Sequence, residues 1–388
     1  MDRRSTNSYK WGKVGNEVID SEVYPMWVAD MEFKVSPHII KRLQDRINQG
    51  IFGYERLSDE YYNAVIYWLN NKHSYNVTKN EIVYCANTMV GISVFIQSFT
   101  YEGEGVLVNT PVYGNFYNSI KGCGRKIIES PLIEYNGRYT FDFNDMSSKI
   151  TDNTKILLIC NPHNPTGSVW NKSELIELCR FCKKHNLLLV SDEVHFDFIF
   201  NNVKHTATAL VANEIGVKIA TIISPGKSFN VAGIQSASII INDECMRKKY
   251  IKVMEDMMYP FAHAFAEAVT IGAYKESEKW LCEVLEYINE NRKVFIQFFQ
   301  EKLPKIKIAQ SDSTYLIWVD CRGLRLSDEK LNKLWDEKCK LILSHGSEFG
   351  NNYSQFRRFN IACPKDKLID ILNRIEKVFK EEGYIDKR

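Results

Sequence analysis

The sequence predicts an α/β fold: a large domain with a mostly parallel sheet between helices, joined to a smaller α+β domain. Three observations predict it. Short apolar runs alternate with helical patterns through the middle of the chain, and a turn-forming segment follows each run. The alternation ends near residue 275, where a long amphipathic helix gives way to short strands. The 388 residues suffice for two or three domains. The expected division is a large domain over 49–275 and a discontinuous small domain from both chain ends, 1–48 and 276–388.

Taken in order, GISVFIQSF (91–99) reads as a helix and GVLVNTP (105–111) as a strand ended by Pro. KILLIC (155–160) reads as a buried strand, and NPHNPTG (161–167), with two Asn-Pro pairs and a Gly, must be loop. KSELIELCRFCKKHN (172–186) has helical spacing at Leu175, Ile176, Leu178, Cys179 and Cys182, with Ser173 as the expected N-cap. LLLVSDE (187–193) is again a strand, which completes a βαβ unit with a right-handed crossover. IATIIS (219–224) and SASIII (236–241) continue the sheet. WLCEVLEYINENRKVFIQFFQEKL (280–303) is the long helix, with Leu281, Val284, Leu285, Ile288, Phe295, Phe298 and Phe299 on one stripe. TYLIWVD (314–320) and FRRFNIA (356–362) are strands of the second domain, and KLIDILNRIEKVFKEE (367–382) closes it. The N-terminal segment is expected to pack with this domain.

Composition narrows the function classes. Lys plus Arg number 50 against 48 Asp plus Glu, a net charge of +2, so the chain has no electrostatic footprint for nucleic acid or a membrane surface. No stretch approaches the ~18 apolar residues of a membrane span. MDRRSTNSYKWGK lacks the apolar core of a signal peptide, and ten scattered cysteines read as reduced thiols, so a cytoplasmic protein is expected. Cys179 and Cys182 form a CxxC on a helix face with no second pair at zinc spacing, and the eight His are dispersed, so no metal site is expected. No GxGxxG or P-loop pattern appears.

In an open parallel sheet, ligands bind beyond the carboxyl ends of the strands. Four residues stand there: Tyr113 after GVLVN, Asn164 after KILLIC, Asp192 after LLLVS, and Lys227 after IATII. Alone, each has a plain structural explanation, such as a surface charge, a turn or core packing. Together they suit one chemistry. A buried Lys amine condenses with an aldehyde. A carboxylate keeps a pyridine nitrogen protonated, which makes the ring an electron sink. A Tyr ring stacks on the pyridine, and an Asn amide bonds its phenolic oxygen. That is a site for pyridoxal 5′-phosphate.

The order NPHNPTG, SDEVHFDF (191–198), SPGKSFN (224–230) resembles the aspartate aminotransferase superfamily of fold-type I pyridoxal-phosphate enzymes. PMWVADMEF (25–33), FGYERL (52–57), TPVYGNF (110–116), KSFNVAGIQ (227–235) and FRRFNIACP (356–364) are similar to the MalY/PatB-type cystathionine β-lyases, or cysteine-S-conjugate β-lyases. The resemblance covers nearly the whole chain and implies the fold-type I pyridoxal-phosphate-dependent transferase fold.

It also implies roles. Lys227 would be the lysine that binds the cofactor and the base that moves the α-proton. Asp192 would face the ring nitrogen, Asn164 the phenolic oxygen and Tyr113 the ring, with Tyr113 and Asn164 also touching substrate. Ser224 and the backbone amides of Asn87, Thr88 and Met89, before a helix expected from about Val90, would hold the phosphate. Arg358, chosen over Arg357 by the pattern F-x-R-x-N-x-A-x-P, would clamp the substrate α-carboxylate. Tyr54 would reach the phosphate of a neighbouring subunit's cofactor, which implies a homodimer with shared active sites. Two positions depart from many aminotransferases: Gln235 stands eight after the lysine in place of Arg, and His195, also placed at the cofactor, stands three after Asp192 in place of Tyr. Both match the β-lyases. The implied reaction is α,β-elimination of L-cystathionine or a related cysteine S-conjugate to a thiol, pyruvate and ammonia. An aminotransferase and a cofactor-bound regulatory or partner-binding protein are the two alternatives.

Overall fold

In a computed structural model, which describes residues 3–14, 17–18, 21–259 and 261–385, the central apolar runs form one seven-stranded sheet. Its strands are β1 (Ile82–Cys85), β2 (Gly105–Thr110), β3 (Lys126–Pro131), β4 (Thr154–Cys160), β5 (Leu188–Asp192), β6 (Ile219–Ile223) and β7 (Ala237–Ile241), in the order β1-β7-β6-β5-β4-β2-β3. All neighbours from β6 to β3 are parallel, and β7 runs antiparallel to both β6 and β1. Six strands therefore point the same way. Their carboxyl ends share one edge of the sheet, and the reversed β7 begins at that edge.

The interior strands are apolar along their whole length because helices cover both faces. The helices are α1 (Pro37–Asn48), α2 (Asp59–His73), α3 (Thr88–Phe99), α4 (Lys172–Lys184), the single turn α5 (Pro225–Ser228), α6 (Ala266–Glu276), α7 (Glu278–Lys302) and α8 (Lys365–Glu381). On one face Ile92, Phe95 and Ile96 of α3 pack with Val106, Val108, Ile222 and Ile239. On the other, Trp68 of α2, Leu175 of α4 and Tyr274 of α6 pack with Leu107, Leu157, Leu189 and Ile240.

Two helix starts differ from expectation. Asn171, not Ser173, caps α4: its side chain accepts from Glu174 N (3.0 Å), while the Glu174 carboxylate accepts from Asn171 N (2.9 Å). That reciprocal pair satisfies two end amides at once, whereas the Ser173 hydroxyl is spent on the Asn171 side chain. And α3 begins at Thr88 rather than near Val90, because Asn87 caps it through Val90 N (3.0 Å).

The second sheet is antiparallel, with β8 (Lys307–Ile308), β9 (Leu316–Asp320), β10 (Ser344–His345) and β11 (Phe356–Asn360) in the order β8-β9-β11-β10. Its core joins Ile317, Val319 and Phe359 to Phe295 and Phe299 of α7 and Leu372 and Ile375 of α8. The N-terminal segment docks here: Tyr24–Pro25 pairs in parallel with Leu341–Ile342, and Met26 and Met31 enter the same core. Helix α7 spans both cores, with Leu281 in the larger and Ile288 in the smaller.

Helix α1 packs on α6 instead, and Ile39 belongs to the larger core. The approach is close: a Cβ on Gly272 of α6 would lie 3.1 Å from Ile39 Cα. We therefore propose that the large domain starts at Pro37 and not at residue 49. An amphipathic stripe says that a helix is covered but not by which core. The outermost bounds of the expected small domain, residues 1–2 and 386–388, lie outside the described residues. Among the described residues no helix is long and apolar enough to cross a membrane.

Candidate active site

Strand β6 ends at Ile223, and the chain turns at once into α5. Ser224 makes the turn: its hydroxyl accepts from Gly226 N (2.9 Å) and donates to Ser236 O (2.7 Å), and Pro225 supplies a first helical residue that needs no hydrogen-bond partner. The turn aims Lys227 into a cavity of about 270 Å³ at the shared strand edge. Lys227 Nζ donates to Ala29 O (2.7 Å). Burial, helped by the positive charge of Arg358, lowers this amine to about 8, so a neutral, nucleophilic form is within easy reach near neutral pH.

Asp192 ends β5 on the wall of the same cavity, with Oδ1 accepting from Val194 N (3.2 Å). Burial raises its carboxyl to about 7, against the opposing pull of that amide and of Lys227. A buried carboxylate with one backbone bond is short of a partner, and a protonated pyridine nitrogen is such a partner. His195 lines the cavity too; burial and the charges of Lys227 and Arg358 keep its imidazole neutral, and its buried Nδ1 has no hydrogen-bond partner among the described residues.

Tyr113 and Asn164 come together because their loops are tied: His163 Nε2 lies 2.7 Å from Pro111 O. The Tyr113 turn also meets the 346–349 loop so closely that a Cβ on Gly114 would lie 2.5 Å from Glu348 O. Asn164 Oδ1 accepts from Arg358 Nη1 (3.1 Å), while Arg358 Nη2 donates to Trp27 O (2.8 Å) and Ser344 Oγ (3.0 Å). Arg358 therefore stands one hydrogen bond behind the cavity wall. It is 5% exposed, and among the described residues no carboxylate lies within 4 Å of it. A buried guanidinium without a counter-charge suits an incoming carboxylate. Arg357, its strand neighbour, is buried on the other side against the carbonyls of Ser354 and Phe356.

The cavity is also lined by Asn87, Thr88 and Met89, with Ser224, Gln235 and Ser236. Asn87 serves as cap, so the amides of Thr88 and Met89 are first-turn donors that the helix does not use, aligned with the positive end of its dipole. Amine, carboxylate, aromatic ring and anion-binding amides on one small cavity fit pyridoxal phosphate. Tyr54 lies elsewhere. It is 88% exposed and packs its ring on Phe261 (5.0 Å between centroids).

Sequence reading missed the groups that hold the N-terminal segment over the lysine. Ala29 O accepts from both Lys227 and the Tyr315 hydroxyl (3.1 Å). Asn230 Nδ2 donates to the carbonyls of Met31 (3.0 Å) and Phe33 (2.9 Å), and Asn360 Nδ2 to those of Val28 and Asp30 (both 2.6 Å). The motifs MWVADMEF, KSFN and FRRFN are thus one hydrogen-bonded unit. The signal for it was the Asn closing two of those motifs.

The model of the aminotransferase class I and II family matches residues 26–375. Cystathionine β-lyase PatB of Bacillus subtilis is 35% identical over 376 residues, covering 97% of this chain and 97% of that protein. Protein MalY of Escherichia coli is 29% identical, with 95% and 94% covered. The crystal structure of cystalysin from Treponema denticola, which contains pyridoxal 5′-phosphate, superposes with a TM-score of 0.94 at 32% identity, covering 98% of each chain. The fold is the fold-type I pyridoxal-phosphate transferase fold.

Proposed function

The chain belongs to the class I and II aminotransferase family, and from that premise we propose that it is a pyridoxal-phosphate-dependent carbon–sulfur β-lyase acting on L-cystathionine or a related cysteine S-conjugate. The observation that carries the cofactor chemistry is the pairing of a depressed amine, Lys227, with a raised carboxyl, Asp192, on the walls of one cavity. Similarity along the full chain to a named cystathionine β-lyase supports the elimination.

When bound, the cofactor supplies an aldehyde for the amine and an electron sink for the substrate carbanion. Asp192 would hold the proton on its ring nitrogen. Tyr113 would stack on the ring and Asn164 would bond its phenolic oxygen, with neutral His195 lining the same cavity. The amides at Asn87, Thr88 and Met89 would hold the phosphate; Ser224 lines the same cavity, but its hydroxyl proton is spent on Ser236 O. Arg358, steadied by Trp27 O and Ser344, would grip the α-carboxylate, with Asn164 and Tyr113 beside it. Lys227 Nζ takes the proton from Cα. The electron pair left there expels sulfur, so the Cβ–S bond breaks and Lys227 hands its proton to the leaving thiolate. Hydrolysis of the remaining fragment gives pyruvate and ammonia.

We further propose a cytoplasmic homodimer. All ten cysteines are free thiols, which suits a reducing compartment. Ile51, Phe52 and Tyr54 are exposed apolar residues of one loop, and Tyr54 packs on the exposed Phe261. A second copy seated there would receive Tyr54 at its phosphate site.

A lactate-dehydrogenase-coupled assay with cystathionine, cysteine and cystine tests the function. Pyruvate is expected from wild type, with neither pyruvate nor the visible absorbance of lysine-bound cofactor from Lys227→Ala. A wild type that gives no pyruvate but converts to the pyridoxamine form with an amino acid would be an aminotransferase instead.

A further inference from the structure

Behind the lysine turn lies another buried carboxylate side chain, Asp197, five residues beyond Asp192 on the same stretch of chain. Its side chain is 4% exposed. Oδ1 accepts from the Trp68 indole (3.1 Å) and lies 2.9 Å from His73 Nε2, and Oδ2 accepts from the Ser228 hydroxyl. Among the described residues no Lys or Arg lies within 4 Å of it. Its two α2 partners are rigidly seated: Trp68 stacks on Tyr274 (5.3 Å between centroids, 16° between planes), and His73 stacks on Phe196 (3.9 Å, 8°).

Resting on the cofactor site argued above, we propose that Asp197 is a positioning residue that sets the depth of the Lys227 amine in the cavity, acting through the Ser228 hydroxyl. Helix α5 is one turn long and cannot hold its own geometry. Side chains tether it at three points: Ser224 to Ser236 O, Ser228 to Asp197, and Asn230 to the 31–33 segment. The outer two fix where the turn enters and leaves. Ser228, fully buried and next to Lys227, fixes its body. Because Asp192 ends β5 and Asp197 follows five residues later, this bond ties the lysine to the segment that presents the ring-nitrogen partner. The amine that moves the α-proton is thereby registered against the group that sustains the electron sink, where an error of 1 Å costs about 10²-fold in rate.

A carboxylate is the group suited to this place, since its oxygens accept from the Trp68 indole and the Ser228 hydroxyl while Oδ1 also meets His73 Nε2. Asp197→Asn keeps the volume but sets an amide N–H₂ against those donors, and Ser228→Ala removes only the tether. Each variant should weaken cofactor binding by about tenfold, measured by equilibrium dialysis and the visible absorbance of the lysine-bound form. Each should also lower kcat by about tenfold in β-elimination with KM little changed. In the double variant the losses should not multiply, because one bond is removed twice. A merely structural role would lower the melting temperature and leave these readouts at wild-type values for folded protein. Cofactor affinity and kcat within twofold of wild type in Ser228→Ala, or losses that multiply in the double variant, overturn the proposal. If Asp197→Asn fails to fold, Ser228→Ala decides alone. Cofactor affinity and absorbance need no turnover, so a wild type inactive on every thioether sinks the lyase reading and leaves this one to be decided separately.

Discussion

Lys227 and Asp192 are pushed toward each other in pKa by the same cause, burial, because it penalises whichever form carries charge. For Asp192 this has a pH consequence in the cofactor-free protein. A carboxyl raised from 3.8 to about 7 contributes stability that is fully present below pH 3.8 and lost as the pH rises through 7, a span worth of order 4 kcal/mol. Asp192→Asn should therefore flatten the fall in melting temperature of the cofactor-free protein between pH 4 and 7, while abolishing most β-elimination in the loaded enzyme. Thermal melts across that range check it; an unaltered slope would mean that Asp192 does not titrate there. Arg358→Lys replaces a planar fork by a point charge and should raise KM about 10- to 100-fold with a smaller change in kcat, as steady-state kinetics would show. Wild-type KM in that variant would move the carboxylate clamp to another residue. Residue types at strand ends were readable in sequence. Their pKa directions were not, because burial is a property of the assembled walls.

At the scale of elements, helix starts depend on which side chain turns back to the backbone. The α4 cap separates two neighbours: Asn171→Ala should cost about 1 kcal/mol, and Ser173→Ala less than about 0.5 kcal/mol, by denaturant melts. Equal costs would remove the assignment of the cap to Asn171. The N-terminal segment teaches a similar lesson. Its motif was legible as letters, yet its work, presenting the carbonyls of Trp27 and Ala29 to Arg358 and Lys227, is done by backbone atoms. Backbone atoms leave no mark in composition. Only the Asn230 and Asn360 side chains that hold them do.

For the whole molecule, the prediction concerns two subunits. If Tyr54 completes a partner's site, Tyr54→Ala and Lys227→Ala homodimers are both impaired, but mixing them creates hybrids with one intact site. Random reassortment should restore about a quarter of wild-type activity, since half the dimers are hybrids with one working site of two. No recovery on mixing, with exchange verified by sedimentation of tagged chains, would confine each site to one chain.

The sequence by itself determined the α/β class, the cofactor chemistry and the identity of the residues at the strand ends. Parallel strands force their loops to one edge, and few chemistries need Lys, Asp, Asn and Tyr there together. Tertiary structure alone decided that α1 joins the larger core, that Arg358 is buried with no carboxylate within 4 Å among the described residues, and that Asp197 stands behind the lysine. These depend on contacts between residues far apart in the chain. Periodicity reports that a side chain is covered, and only the fold fixes what covers it.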